Sequence, residues 1–231
     1  MFVPVPKKVN LNFFKKWNSL MAYVCGFFAA DGNMTFNERG AYYWSIQIKD
    51  EILLRKIRHA VSSNHKISIR EKTNDFGTKK RVYRMQIGSK EMCEDLRSLG
   101  FSERKTFNMT LPKIPEKYLS HFVRGYFDGD GNVWTGYVHK DRATPLLAIQ
   151  TVFTSCSNNF LEGLRIRLEQ SGIGNGVVRK GKGNYYRLTY SILSSLKLYN
   201  FMYNHGVIME TLHPYLERKK IVFDDYIAMR P

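Results

Sequence analysis

Two short stretches of this 231-residue chain place a carboxylate in the same awkward position. YVCGFFAADG (residues 23–32) is apolar or small until Asp31, and FVRGYFDGDG (residues 122–131) closes on Asp130 and a glycine. Each acid ends a run that reads as a buried helix. A carboxylate near a helix C-terminus is disfavoured by the macrodipole by about 0.3–1 kcal/mol. If the two helices lie side by side, the like charges also repel. Two such penalties in one chain imply a compensating cation, and hard divalent ions take carboxylate and backbone carbonyl oxygens. On a basic body, paired acids with divalent ions suit phosphodiester hydrolysis, in which the metal activates a water and stabilises the leaving oxyanion. The DG pairs have a second reading as plain helix stops, with Gly32 or Gly131 in the left-handed position after the last turn. Both readings stand on the sequence.

The body is indeed basic. Lys and Arg total 36 against 20 acids, giving a net charge of +16 and a pI near 9.8, with the basic residues spread along the chain. A globular chain of this charge points to a polyanion, most often nucleic acid. Apolar residues make up 43%, enough for a core and against global disorder. Cys25, Cys93 and Cys156 are far apart and form no CxxC pair, and the six histidines show no ligand spacing. Reduced thiols are expected, not a disulfide framework or a zinc site. MFVPVPKKVNLNFFKKW has prolines and lysines where a secretory signal needs an apolar core. The longest apolar stretch, residues 20–30, is too short to span a bilayer. A soluble, intracellular protein is expected, in cytoplasm or an organelle matrix.

The elements that position the acids repeat. Gly26, Phe28, Asp31, Gly32 and Asn33 match Gly125, Phe127, Asp130, Gly131 and Asn132 at a constant offset of 99. YRMQI (83–87) resembles YRLTY (186–190), and SERKTF (102–107) resembles LERKKI (216–221). The offset drifts from 99 to 103 to 114, as longer loops in the second half would give. The chain reads as two copies of one αββαββα unit: residues 1–111, a linker at 112–118 marked by Pro112 and Pro115, and residues 119–231. The fold class is α+β with antiparallel sheets. Ser19 and Ser120 are candidate N-caps. Within the leading helices, Gly26 and Ala30, and Gly125 and Gly129, are four apart and share a face, so the helices can pack on each other through small residues. That packing would bring Asp31 and Asp130 together.

Alternation along the strands separates two faces. Tyr42, Trp44, Ile46 and Ile48 point one way, and Tyr43, Ser45, Gln47 and Lys49 the other. The outward set is polar or basic and sparse in acids, the side chains that contact phosphates and base edges. Candidate DNA contacts are Asn33, Thr35, Ser45, Gln47, Lys49, Lys66, Ser68, Arg70, Lys72, Arg84 and Gln86 in the first unit. In the second they are Asn132, Trp134, Lys140, Gln150, Arg179, Arg187 and Thr189.

Together the paired motifs, the αββαββα repeat and the polar strand faces resemble the LAGLIDADG homing endonucleases, specifically the monomeric two-motif kind, over roughly residues 20–221. The resemblance implies a saddle of two antiparallel sheets clasping a long DNA site, with the motif helices at the interface. It implies that Asp31 and Asp130 bind Mg²⁺ at the scissile phosphates, with the carbonyls of Ala30 and Gly129 as matching backbone ligands. Mn²⁺ would substitute, and Ca²⁺ would bind without supporting cleavage. Both strands would be cut across the central minor groove, leaving short 3′ overhangs. A basic residue near each cut maps onto the repeated ERK, at Lys105 and Lys219. The polar residue that organises water maps loosely onto Gln47 or Asp50 in the first half and Ser155 in the second. Ala29 stands where the second motif has Asp128, which makes the halves non-equivalent and fits an asymmetric target. Two other readings remain: an RNA maturase or non-cleaving nucleic-acid-binding protein of the same fold, and a transcription regulator. The presence of both aspartates favours the enzyme, and with no splicing segments flanking the motifs an intein is set aside.

Overall fold

The structure is a computed structural model and describes residues 6–73, 79–103, 105–204 and 214–230, without the side chains of 72, 79, 80, 105 and 106. In the first unit, α1 (Ser19–Asp31) runs into a sheet of β1 (Gly32–Phe36), β2 (Tyr42–Ile48), β3 (Ile67–Thr73) and β4 (Lys79–Gly88). Helix α2 (Glu51–Ala60) joins β2 to β3, α3 (Lys90–Ser98) follows β4, and a single turn, α4 (Lys105–Asn108), follows α3. The second unit repeats this with α5 (Glu116–Asp130), β5 (Gly131–Val138), β6 (Leu146–Ser155), α6 (Asn158–Gln170), β7 (Val177–Lys180), β8 (Tyr186–Tyr190) and α7 (Ile192–Tyr203). A further helix, α8 (Glu217–Ala228), carries the second ERK stretch. Both sheets are antiparallel and ordered alike, β1-β2-β4-β3 and β5-β6-β8-β7. The αββαββα repeat is therefore present twice. The drifting offset has mixed causes: β5 and β6 are 8 and 10 residues long against 5 and 7 in β1 and β2, while β7 and β8 are the shorter hairpin.

Helix starts follow local capping, one step away from the residues expected. Asn18 caps α1, accepting from the Met21 N–H at 2.9 Å, and Ser19 is the first helical residue. Helix α5 begins at Glu116, behind Pro115, whose fixed φ suits a helix start, so Ser120 lies inside the helix and is buried. Asp50, Ser89 and Ser157 cap α2, α3 and α6 through their side chains.

Helices α1 and α5 are buried on all sides and pack on each other at the centre. A Cβ placed on Gly26 would lie 2.0 Å from the Phe122 carbonyl oxygen, and one on Gly125 would lie 2.1 Å from that of Tyr23. The small-residue face is thus a backbone-to-backbone contact. Around it the first core packs Phe14, Phe28 and Phe101 edge-on with Trp44, and the second packs Phe127, Phe153, Tyr190 and Phe223.

Gly32 and Gly131 are not left-handed stops. Their φ values are −81° and −89°, with ψ extended, so each helix passes straight into its strand. Glycine is needed for space: a Cβ would meet the carbonyl oxygen of Phe28 or Phe127 at 2.5 Å and the same residue's ring closer still.

Candidate metal site and nucleic-acid interface

The two motif aspartates are brought to one place. Gly129, on α5, approaches α1 so closely that a Cβ there would lie 2.3 Å from Ala30 Cβ and 3.3 Å from Asp31 Oδ2. Asp31 is exposed and Asp130 half-buried. Both carboxylates raise the pKa of Tyr126, behind burial as the main cause, and both act on Lys219. The Ala30 and Gly129 carbonyls lie in the same last turns.

Lys219 answers the electrostatic problem at the end of α5. Its ammonium donates to the carbonyls of Phe127 (2.6 Å), Asp128 (2.9 Å), Gly129 (3.5 Å) and Gly131 (2.6 Å). It is a buried cation on the negative end of the helix, where the macrodipole favours one. Burial lowers its pKa to about 8, against the pull of Asp128, Asp31 and Asp130. Its ammonium is thus directed at backbone and not outward. The matching Lys105 lies in α4, its side chain outside the described residues.

Asp128 fixes the segment that delivers Lys219. It accepts from the Tyr23 hydroxyl at 2.7 Å and from the Leu216 N–H at 2.9 Å, tying α5 both to α1 and to the start of α8. Arg124 lies nearby, donating to the Met202 carbonyl and to His121, with its guanidinium 5.5 Å from the Tyr23 ring centroid. Burial pushes the Asp128 carboxyl up to about 6, offset in part by Tyr23, Lys219 and Leu216. The Ala29–Asp128 difference between the motifs therefore has a structural content: only the second motif carries this anchor.

A cleft of about 600 Å³ opens beside the helix ends, lined by Asp31, Gly129, Gln47, Lys49, Asp50 and Arg218 among others. Gln47 and Asp50 therefore both reach the site, but the Asp50 carboxylate is already accepting the Leu53 N–H at 2.8 Å as the α2 cap. Ser155 is buried and its hydroxyl accepts from the Ser157 N–H at 3.1 Å. Sequence reasoning missed Arg218. It is the exposed member of the second ERK stretch, facing this cleft while Lys219 turns inward.

Strand register places the candidate contacts in rows across each open face. Asn33 pairs with Ser45 and Ser45 with Gln86, and Gln47 pairs with Arg84 and Arg84 with Ser68. In the second sheet Asn132 pairs with Val152, Val152 with Thr189, Trp134 with Gln150, and Arg187 with both Thr154 and Arg179. Asn33, Thr35, Lys49, Lys66, Arg70, Asn132, Trp134, Lys140, Gln150, Arg179 and Arg187 are exposed. Gln47, Ser68, Arg84, Gln86 and Thr189 are half-buried. Ser45 is the exception, 5% exposed beneath Arg84, whose Nη2 lies 3.5 Å from its hydroxyl. It faces the open side but cannot reach far from it. The Lys72 side chain falls outside the described residues.

Among the described residues no cluster of three or more His, Cys, Asp or Glu side chains could hold a metal, and no helix is long and apolar enough to cross a membrane. Two carboxylates and adjacent carbonyls are nevertheless a donor set suited to Mg²⁺, which commonly takes one or two carboxylates and completes its shell with water and substrate phosphate.

Comparison with known proteins defines the class. Residues 117–206 match the family model described as a LAGLIDADG-like domain. The homing endonuclease I-WcaI, solved bound to its DNA recognition sequence, superposes with a TM-score of 0.59 at 14% identity, over 89% of this chain and 91% of that one. The LAGLIDADG meganuclease I-AabMI, bound to uncleaved DNA, gives 0.57 at 14% identity, over 92% and 90%. This chain is therefore a LAGLIDADG protein, with a LAGLIDADG-like domain in its second half and the two-unit fold of the LAGLIDADG homing endonucleases throughout. Curated relatives match more locally. DNA-directed RNA polymerase subunit Rpo1C of Methanocaldococcus jannaschii is 29% identical over 152 residues, which is 65% of this chain and 16% of that protein. A probable translation initiation factor IF-2 of Thermococcus kodakarensis is 33% identical over 100 residues, 42% of this chain and 8% of that protein. This chain spans less than a fifth of the length of either.

Proposed function

We propose that this chain is a site-specific DNA endonuclease, active as a monomer, that breaks both strands of a long asymmetric duplex by divalent-metal-dependent phosphodiester hydrolysis. The observation that carries the reading is the meeting of Asp31 and Asp130 at the crossing of α1 and α5, between two sheets whose open faces are basic and polar. The DNA-bound relatives of the same fold support it. Asp31 with the Ala30 carbonyl, and Asp130 with the Gly129 carbonyl, would hold Mg²⁺, with Mn²⁺ able to replace it and Ca²⁺ binding without cleavage. An ion held there supplies charge stabilisation to the phosphoryl oxygens and a more acidic water. Lys219 contributes by neutralising the carbonyl ladder behind Gly129 and not by touching phosphate. Arg218 and Gln47 face the cleft, where a guanidinium and an amide would hold the backbone and its waters. The first ERK stretch supplies Lys105 in the corresponding place in sequence.

The test is a selection. Randomised duplexes incubated with the protein in Mg²⁺ should yield a population broken in both strands at one sequence, and in Ca²⁺ the same sequence should be recovered bound and whole. Recovery of a bound sequence that is never cut in Mg²⁺ or Mn²⁺ would make this a non-cleaving nucleic-acid-binding protein.

The open faces give a separate expectation. Arg84 and Arg187 hold equivalent positions, paired with Gln47 and Thr154 respectively. If each neutralises one phosphate, alanine at either weakens binding at all sequences, and the slope of log K against log salt falls by about 1. Titrations of binding at several salt concentrations read both. An unchanged affinity and slope for both variants would remove these faces from the DNA interface.

A further inference from the structure

The two sheets present different chemistry at the same register. Equivalent positions are fixed by the motif: Gly32 pairs with Ile46 and Gly131 with Phe153, so Asn33–Ser45 in the first sheet corresponds to Asn132–Val152 in the second. Continuing outward, Ser45 pairs with Gln86, and Val152 with Thr189. The next strand adds Val177 opposite Thr189, and the residue that precedes β3 in the first unit is Lys66. The first sheet thus carries Ser45, Gln86 and Lys66 where the second carries Val152, Thr189 and Val177. Hydrogen-bonding groups in one row are replaced by branched methyl groups in the other.

The methyl row is open. Val177 is 47% exposed, and Val152 and Thr189 are half-buried. Trp134, one row along and 46% exposed, adds apolar surface. Its indole lies flat over Gly136, where a Cβ would meet Cζ2 at 2.5 Å, so it extends the apolar floor instead of projecting as a wedge. On the other side the row is bounded by Thr154, Arg187 and Arg179. An apolar strip beside arginines, on a chain of net charge +16, suits a strongly anionic partner with apolar groups of its own. In the major groove of DNA that group is the C5-methyl of thymine, and valine, threonine methyl and aromatic surface are the side chains that contact it. Strand spacing puts three adjacent side chains across about 10 Å, some three base-pair steps.

We propose that the second sheet reads its half of the DNA site through thymine methyl groups, using Val152, Thr189, Val177 and Trp134, while the first sheet reads its half by hydrogen bonds from the corresponding Ser45, Gln86 and Lys66. This rests on the endonuclease reading above, and deepens it by assigning the base chemistry of one half-site.

The experiment changes the DNA, so the fold of the protein is untouched. Duplexes recovered from the randomised library in Ca²⁺ are resynthesised with deoxyuridine in place of thymidine, one half at a time, which removes only the methyl groups. Uracil in one half should weaken binding by about fourfold for each contacted methyl removed. Uracil in the other half should change it less than about twofold, since no contacted methyl is lost there. The double variant Val152→Ser, Val177→Ser should lose the uracil sensitivity of the responsive half, which assigns that half to the second sheet. Equal sensitivity of both halves, sensitivity in neither, or sensitivity that survives in the double variant would overturn the proposal. If no bound duplex is recovered at all, it is the underlying DNA reading that fails, and this is seen at the selection step, ahead of the uracil substitutions.

Discussion

Asparagine at Asp31 or at Asp130 abolishes double-strand cleavage and leaves DNA binding largely intact. The substitution keeps the shape and one carbonyl oxygen but removes the charge at the end of a helix whose own dipole is already negative there. Without that charge the site loses much of its hold on a hard divalent ion. Loss of metal-supplied charge stabilisation amounts to several kcal/mol, about three orders of magnitude in rate. Binding follows a different balance. The rows on the open faces supply the phosphate contacts, and removing one negative charge beside a polyanion does not weaken them. The two aspartates meet through Gly129 and Ala30, so either substitution disturbs the common site. Cleavage of a supercoiled plasmid carrying the selected sequence separates the outcomes: nicked and linear products report the chemistry, and retention of the site in Ca²⁺ reports binding. A single variant that linearises the plasmid at the normal rate would show that its carboxylate holds no metal needed for the cut.

Much of this arrangement is legible in the sequence because the chain repeats itself. The offset of 99 between the motifs is enough to pair Asp31 with Asp130, and the small residues four apart fix which helix faces meet. Period-two alternation also assigns the strand faces correctly. What it does not give is depth. Ser45 lies on the open face as expected, yet Arg84 from the adjacent strand covers it. The repeated ERK illustrates a second limit. Successive helical residues are rotated by about 100°, so a motif of three does not say which member faces the cleft. In α8 it is Arg218, while Lys219 turns to the carbonyls of α5. Burial of a lysine against a helix end 88 to 92 residues away is set by tertiary packing, which no local pattern carries. The same holds for Asp128, whose partners Tyr23 and Leu216 are 105 and 88 residues distant. The DG pairs mislead for a related reason. Glycine suggests a left-handed stop, whereas the constraint is the narrow gap between the helix end and the first strand residue.

Alanine at Gly26 or Gly125 destabilises the whole chain, despite favouring the helix in which it sits. The propensity gain is about 1 kcal/mol for replacing glycine in a helix interior. Against it stands a Cβ placed 2.0 Å from the Phe122 carbonyl oxygen, or 2.1 Å from that of Tyr23. These are backbone atoms of a neighbouring helix, held by its own hydrogen bonds, so relief requires α1 and α5 to move apart. Both helices are buried all round, and separation opens gaps along a face that is otherwise close-packed. Overpacking of this kind costs about 1–3 kcal/mol where side chains can adjust, and more where they cannot. The clash therefore outweighs the propensity, leaving a net loss of about 2–4 kcal/mol. For a chain of this length each kcal/mol lowers the midpoint of thermal unfolding by about 2–4 °C, so a drop of about 5–15 °C is expected. Function falls with it, because the gap between Gly129 and Asp31 opens as the helices separate. Thermal melts followed by circular dichroism, compared with cleavage measured well below the midpoint, read the two effects separately. A midpoint that stays level or rises in either variant would mean that the helices do not meet through these glycines.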